Sequence, residues 1–240
     1  MLKRARFIPG RIWSSGMSRV FGFPRWVLMK NVWLPCKHPL IASDIAEAIF
    51  RGNYESKELK LIGSNLDVAD IVLELGSGIG CVSSFCSLVI GSDRVHTVEA
   101  NPLLVPLIHE TFKKNNVSPT LHNVFLGQGE GVEIFHVSNS FWESSSVSHS
   151  SEMKKIEVRR VDVNQKLAEI SPTFLILDIE GGESDFFAYA DLATVRKICL
   201  ETHEDVIGGV ALSKIFRHLL DVGFTIDFKT VFRNVYFFYR

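Results

Sequence analysis

Ile71-Val72-Leu73-Glu74-Leu75-Gly76-Ser77-Gly78-Ile79-Gly80 reads as a buried strand that runs into a glycine-rich turn. Glycines let a backbone turn sharply and approach a ligand closely, and a helix starting just beyond offers free N–H groups at its first turn. The spacing narrows the choice of ligand. A dinucleotide loop wants G-x-G-x-x-G, which puts its third glycine at position 81, where this chain has Cys81. Here the third glycine arrives one residue early, at Gly80, and an acid, Glu74, stands at the strand end.

Some twenty residues on, Arg94-Val95-His96-Thr97-Val98-Glu99 reads as a second parallel strand ending in an acid. Nucleotide folds place a ribose-binding carboxylate at that distance. Glu99 is therefore the expected ribose clamp, through charge-assisted bonds worth about 1.5–3 kcal/mol each. Asn101 and Pro102 suit the cap and first position of the following helix, although Pro106 bends that helix or moves its start.

Composition sets the outer limits. With 240 residues, 46% hydrophobic and 22% charged, the chain buries one large core. No apolar run reaches the roughly 20 residues of a membrane span. Cys36, Cys81, Cys86 and Cys199 form no C-x-x-C pair or disulfide framework, so we expect buried thiols in a reducing, cytoplasmic setting. The net charge of −1 hides an asymmetry. Lys3, Arg4, Arg6, Arg11, Arg19, Arg25, Lys30 and Lys37 all precede the first acid, Asp44, interleaved with Trp13, Phe21, Phe23, Trp26 and Trp33. Residues 1–38 thus read as a basic aromatic extension and 39–240 as the folded domain. The extension suits an anionic membrane surface, giving peripheral contact, or equally an arm laid over the acidic body.

A helical pattern from Pro39 to Lys60, interrupted by the turn Gly52-Asn53-Tyr54-Glu55, leads into alternating strands and helices. Thr120 to Leu126 is the expected third strand. Val132 to Val137 and Ile156 to Val161 flank a Ser-rich stretch around Trp142 and read as an inserted hairpin beside the pocket. Phe174 to Asp178 and Lys197 to Glu201 are apolar runs ending in acids, as central parallel strands should be. Gly223 to Phe228 and Asn234 to Tyr239 can pair antiparallel after a helix near Val210 to Asp221. The expected fold is α/β and Rossmann-like, a seven-stranded mostly parallel sheet with one antiparallel strand and helices on both faces.

Ligands of such sheets sit outside the carboxyl ends of the strands, so Glu74, Glu99, Asp178 and Glu201 should rim one crevice. Glu180 and Glu183 follow in Asp178-Ile179-Glu180-Gly181-Gly182-Glu183, and His203 follows in Glu201-Thr202-His203-Glu204. The two glutamates also suit the dipole of the next helix. Together the Glu74 to Gly80 loop, Glu99-Ala100-Asn101-Pro102, the Asp178 to Glu183 box and the Glu201 to Glu204 strand end resemble an FkbM-type methyltransferase of the class I superfamily, over roughly residues 50 to 230. Where that family commonly carries Gly-Ala-Asn-Xaa-Gly, this chain has Gly76-Ser77-Gly78-Ile79-Gly80.

The resemblance implies S-adenosylmethionine (SAM) as cofactor and O-methylation of a hydroxyl on a sugar, glycan, lipid-linked or other small-molecule acceptor. It places Gly76, Ser77, Gly78 and Gly80 around the methionine and ribose portions, with Glu74 at the base of that loop. Glu99, with Ala100 and Asn101, would take the ribose side; Glu55 would approach the amino end, and Asp178 would face the reacting centre. A hydroxyl acceptor needs a base, for which His203 and Asp178, with Glu180 beside them, are the candidates. The same Asp178, Glu180 and His203 could instead ligate a divalent metal. A nicotinamide enzyme is disfavoured by the glycine spacing. A nucleic-acid substrate is disfavoured by the acidic body but kept open by the basic arm, and the alternatives are a non-catalytic SAM-binding protein or a methyltransferase acting on nucleic acid or protein.

Overall fold

A computed structural model describes residues 22–137, 154–230 and 232–240. Its centre is a seven-stranded sheet built from β3 (Val72–Leu75), β4 (Val95–Val98), β5 (Thr120–His122), β9 (Phe174–Leu177), β10 (Lys197–Glu201), β11 (Thr225–Ile226) and β12 (Val235–Tyr239), in the spatial order β11-β12-β10-β9-β3-β4-β5. Five strands from β10 to β5 run parallel, while β12 is antiparallel to both β10 and β11. This is the expected sheet with its one reversed strand.

Burial follows from alternation along the central strands. Val72, Phe174 and Ile176 enter the core beneath α1 (Ser43–Arg51), α2 (Ser56–Asn65) and α3 (Cys81–Ile90). Leu73, Leu75, Leu175 and Leu177 enter the opposite core beneath α5 (Val163–Ile170), α6 (Glu183–Tyr189) and α7 (Gly209–Asp221). With helices on both faces, every residue of β3 and β9 is buried, which is why both read as unbroken apolar runs apart from Glu74. The connections from β3 build the sheet toward β4 and β5, and those from β9 build it the other way. The crevice at the carboxyl ends of β3 and β9 is therefore the topological switch point, the place where open α/β sheets hold ligands.

Four details differ from the sequence reading. The strand expected over Thr120 to Leu126 divides into β5 and β6 (Phe125–Gly127), and β6 joins a separate three-stranded sheet. Asn123 Nδ2 donates to the Glu99 carbonyl at 2.7 Å and holds the chain at the division. In that second sheet β7 (Gly131–Val137) and β8 (Lys154–Asp162) form the expected inserted hairpin, and β6 pairs parallel to β8. Trp142 and the Ser-rich stretch lie outside the described residues. The helix expected directly after Pro102 starts later, as α4 (Val105–Asn115), with Pro106 in its first turn where a missing N–H costs nothing. The pattern from Pro39 to Lys60 becomes α1 and α2, and α2 runs on to Asn65.

The fourth detail concerns the N-terminal extension. Residues 1–21 lie outside the described residues, but beyond them β1 (Trp26–Met29) and β2 (Val32–Pro35) make a hairpin whose turn holds Lys30 and Asn31 at positive φ. Met29, Val32, Leu34 and Cys36 share the core with α1 and α2. Asn115 of α4 then stands in for a third strand, accepting from Trp33 N at 2.7 Å and donating to Trp33 O at 2.8 Å. Among the described residues no helix is long and apolar enough to cross a membrane.

Candidate active site

Three strand ends are tied into one unit. Gly76 N and Ser77 N donate to the Val98 carbonyl at 3.0 and 3.2 Å, and Asp178 N donates to the Leu75 carbonyl at 3.0 Å. Gly76 is left-handed, with φ 89°, and a Cβ there would lie 1.8 Å from the Asp178 carbonyl oxygen. Glycine is required at this point by backbone conformation and by close approach together. Gly80 is also left-handed, but a Cβ on it would meet the Phe112 ring at 2.9 Å, so this glycine lets α3 pack on α4.

The acid at the tip of β4 is embedded. Glu99 is 7% exposed, and its carboxylate accepts from Gly78 N at 3.1 Å and from Asn101 N at 2.8 Å. Burial pushes its pKa up to about 7, against the pull of the Asn101, Gly78 and Ser77 N–H groups. Asn101 is buried, and its Nδ2 has no hydrogen-bond partner. Glu74 and Ser77 point elsewhere. The Glu74 carboxylate accepts from the Thr97 hydroxyl, which also bonds the Ser77 hydroxyl, so all three brace the loop from beneath. Desolvation raises Glu74 to about 8.

A cavity of about 490 Å³ lies over this unit, in the size range of small-molecule sites. Glu55, Gly76, Gly78, Glu99, Asn101 and Asp178 line its polar side, while Ala100, Leu104, Val124 and Phe125 supply an apolar slot. A narrow cleft adjoins it, lined by Glu55, Glu58, Glu74, Ser77, Asp178 and Glu201. Burial drives Glu55 well above the usual carboxylate range, with Asp178, Glu58 and Glu201 adding repulsion. Glu201 rises to about 8 by desolvation and then by its proximity to Asp178 and Glu58.

Asp178, Glu180 and His203 meet at the rim. His203 Nε2 lies 3.5 Å from Asp178 Oδ1 and 3.4 Å from Glu180 Oε2. Its Nδ1 is 2.5 Å from Oε1 of Glu183, a residue only 1% exposed. Glu180 and Gly181 both take positive φ, which turns the chain sharply after β9 and returns the Glu180 carboxylate to the histidine. Desolvation and then the Glu180 charge raise Asp178 to about 7. For His203, burial opposes the charged ring, but the Glu183 hydrogen bond and the Glu180 and Asp178 carboxylates outweigh it and raise the pKa to about 9. The three candidate ligand atoms of Asp178, Glu180 and His203 lie within 4.8 Å of one another. The sequence places Glu183 at a helix start but carries no local sign of its pairing with a histidine twenty residues on.

A glycine loop at the switch point, an acid on the neighbouring strand and a sheet closed by a reversed strand define a Rossmann-like nucleotide-cofactor fold. The methyltransferase FkbM domain profile matches residues 70–226, more than half of the chain, and the chain belongs to that family. Its cofactor is SAM. Similar solved structures include precorrin-6y C5,15-methyltransferase of Geobacter metallireducens, at 15% identity over 78% of this chain and 88% of that one, with a TM-score of 0.47. Another is a putative RNA methyltransferase of Pyrococcus horikoshii, at 16% identity over 79% and 82%, TM-score 0.44. A third is an SAH-bound methyltransferase of Podospora anserina, at 13% identity over 83% and 82%, TM-score 0.46. No curated protein matches the chain significantly.

The residues present fit SAM. The Gly76 and Gly78 backbone borders the cavity without side chains, the buried Asn101 Nδ2 lacks an acceptor, and the apolar slot around Ala100 and Leu104 can take a flat base. The crowded carboxylates around Glu55 and Asp178 suit the two cationic centres of SAM, its ammonium and its sulfonium.

Proposed function

We propose that the protein transfers a methyl group from SAM to a hydroxyl oxygen of a sugar, glycan, lipid-linked or secondary-metabolite acceptor. The observation that supports this most directly is that a proton-accepting set, Asp178 with His203, stands at the same strand ends as the glycine loop. When bound, SAM supplies an electrophilic methyl on a sulfonium. Gly76 and Gly78 would border its methionine and ribose portions, Glu99 would accept from the ribose hydroxyls, and Glu55 would take the ammonium end. Glu74 and Ser77 hold the loop through Thr97. Alignment of this kind supplies roughly 7–11 kcal/mol. An attacking hydroxyl must also lose its proton, and a positioned base contributes on the order of 10²–10⁴-fold. Either His203 Nε2 or the Asp178 carboxylate is placed to receive that proton.

A divalent ion on Asp178, Glu180 and His203 is the second reading, favoured by the closeness of their ligand atoms. Turnover that survives chelation removes it.

Glu99→Ala is expected to lower affinity for S-adenosylhomocysteine (SAH) roughly 10- to 100-fold, the worth of one charge-assisted bond, as read by calorimetry. Unchanged affinity would detach Glu99 from the ribose. The acceptor class is tested by incubating the protein with methyl-labelled SAM and fractionated extract. Label in a glycan, lipid or small-molecule pool is expected. Label in RNA or protein overturns the acceptor assignment, and SAH binding with no transfer to any pool points to a non-catalytic binder.

A further inference from the structure

We infer that Glu183 is the positioning residue of the active-site histidine, holding the His203 ring by its Nδ1 so that Nε2 stands between Asp178 and Glu180. The inference rests on the proposed role of His203 as the base.

An acid at the start of a helix is ordinarily explained by the helix dipole, an effect that does not require burial. Glu183 opens α6, yet it is 1% exposed and its Oε2 has no hydrogen-bond partner. Leaving such an oxygen unsatisfied in the interior is a cost that an exposed carboxylate would avoid while still meeting the dipole. The dipole therefore does not account for the burial. The contact that does is Oε1 to His203 Nδ1 at 2.5 Å.

The histidine is held at its backbone as well. Thr202, just before it, donates through both its N–H and its hydroxyl to the Asn234 carbonyl, at 2.8 and 3.1 Å. The His203 carbonyl accepts from Val206 N and Ile207 N, each at 2.9 Å. With the main chain fixed and Nδ1 engaged, the ring has one direction left for Nε2. The charged groups around it are Asp178 at the end of β9, Glu180 in the following loop, Glu183 on α6 and Glu201 at the end of β10. All are acids, so an imidazolium formed there is stabilised from several sides.

Carboxylates orient histidines in this manner wherever one ring nitrogen must be kept as the acceptor. The step balances as follows. The acceptor O–H proton passes to Nε2, and the freed oxygen pair forms the O–C bond to the methyl. The C–S pair returns to sulfur, leaving a neutral thioether, and the imidazolium later gives its proton to water.

The test compares wild type, Glu183→Gln, Glu183→Asp and His203→Ala, with SAH affinity as the control for folding. Ring nitrogen and N–H proton shifts, assigned by loss of the signal in His203→Ala, report the Nδ1 hydrogen bond without any acceptor. In Glu183→Gln, where a neutral amide oxygen replaces the carboxylate on Nδ1, the Nδ1–H proton signal is expected to move upfield of its wild-type position. Transfer of label to the acceptor fraction is expected to fall on the order of 10²-fold or more, with partial recovery in Glu183→Asp. A wild-type Nδ1–H signal and wild-type turnover in Glu183→Gln overturn the inference, even if the variant melts earlier. Full turnover in His203→Ala overturns instead the reading of His203 as base, whatever Glu183 does to the ring.

Discussion

Gly76→Ala is expected to abolish SAM and SAH binding while leaving the sheet intact. Two costs coincide at this position. The φ of 89° alone strains an alanine by about 1–3 kcal/mol. The larger cost comes from the added Cβ, which would sit 1.8 Å from the carbonyl oxygen of Asp178. That oxygen is main chain and belongs to a strand whose Asp178 N–H is bonded to Leu75, so it cannot swing aside as a side-chain tip could. Either the glycine loop or the end of β9 must move, and both are needed in the cavity. Affinity for SAH should fall by more than about 100-fold. Gly129→Ala is the matched control. Its φ is 70°, but nothing lies within 4 Å of the added carbon, so it bears the strain without the collision. Calorimetry should show near-normal SAH affinity for Gly129→Ala and none measurable for Gly76→Ala. Similar affinity in the two variants would mean that the loop does not hold the cofactor.

This contrast also shows which parts of the site a sequence can carry. The strand, turn and helix around Gly76 are contiguous, and Glu99 follows at the fixed distance of one crossover, so local pattern and chain topology both report on them. The seven strands were legible for the same reason, since each central strand is a short apolar run bounded by turns. What failed to show was decided by contacts between distant segments. Thr120 to Leu126 has the pattern of one strand, but the Asn123 side chain, bonded to the Glu99 carbonyl, diverts it into a second sheet. Gly80 belongs by spacing to the cofactor loop, yet the Phe112 ring across from it shows that its missing side chain serves helix packing.

The N-terminal segment gives a different lesson. Its basic and aromatic content conceals an ordinary hairpin, in which Met29, Val32 and Leu34 point inward while Leu28 and Trp33 pair on the outer face. Alternation around Lys30 and Asn31 was available as a signal, but runs of four residues are too short to stand out beside the charge pattern. Glu183 is the hardest case. Its sequence position satisfies the dipole rule, and only the fold shows that it is buried against His203.

His203→Ala is expected to lower turnover on the order of 10²–10⁴-fold while SAH affinity stays near that of wild type. The separation follows from position: the ring stands at the rim beside Asp178 and Glu180 and is not among the groups that border the cavity over the glycine loop. The pH dependence of turnover distinguishes the two candidate bases. A base works in its unprotonated form, so the rate rises tenfold per pH unit below its pKa and levels off above it. If His203 accepts the proton, the three surrounding acids that hold its ring near 9 also delay the plateau, and the rate should still be climbing at pH 8. If Asp178 accepts it, the plateau should begin close to pH 7. Asp178→Asn sharpens the choice. Removing that negative charge withdraws part of the support for the imidazolium, so with His203 as base the midpoint moves below 9 and turnover survives at reduced level. With Asp178 as base, the same substitution eliminates turnover at every pH. A plateau near pH 7 in wild type, together with loss of activity in Asp178→Asn and its retention in His203→Ala, would transfer the role from the histidine to the aspartate.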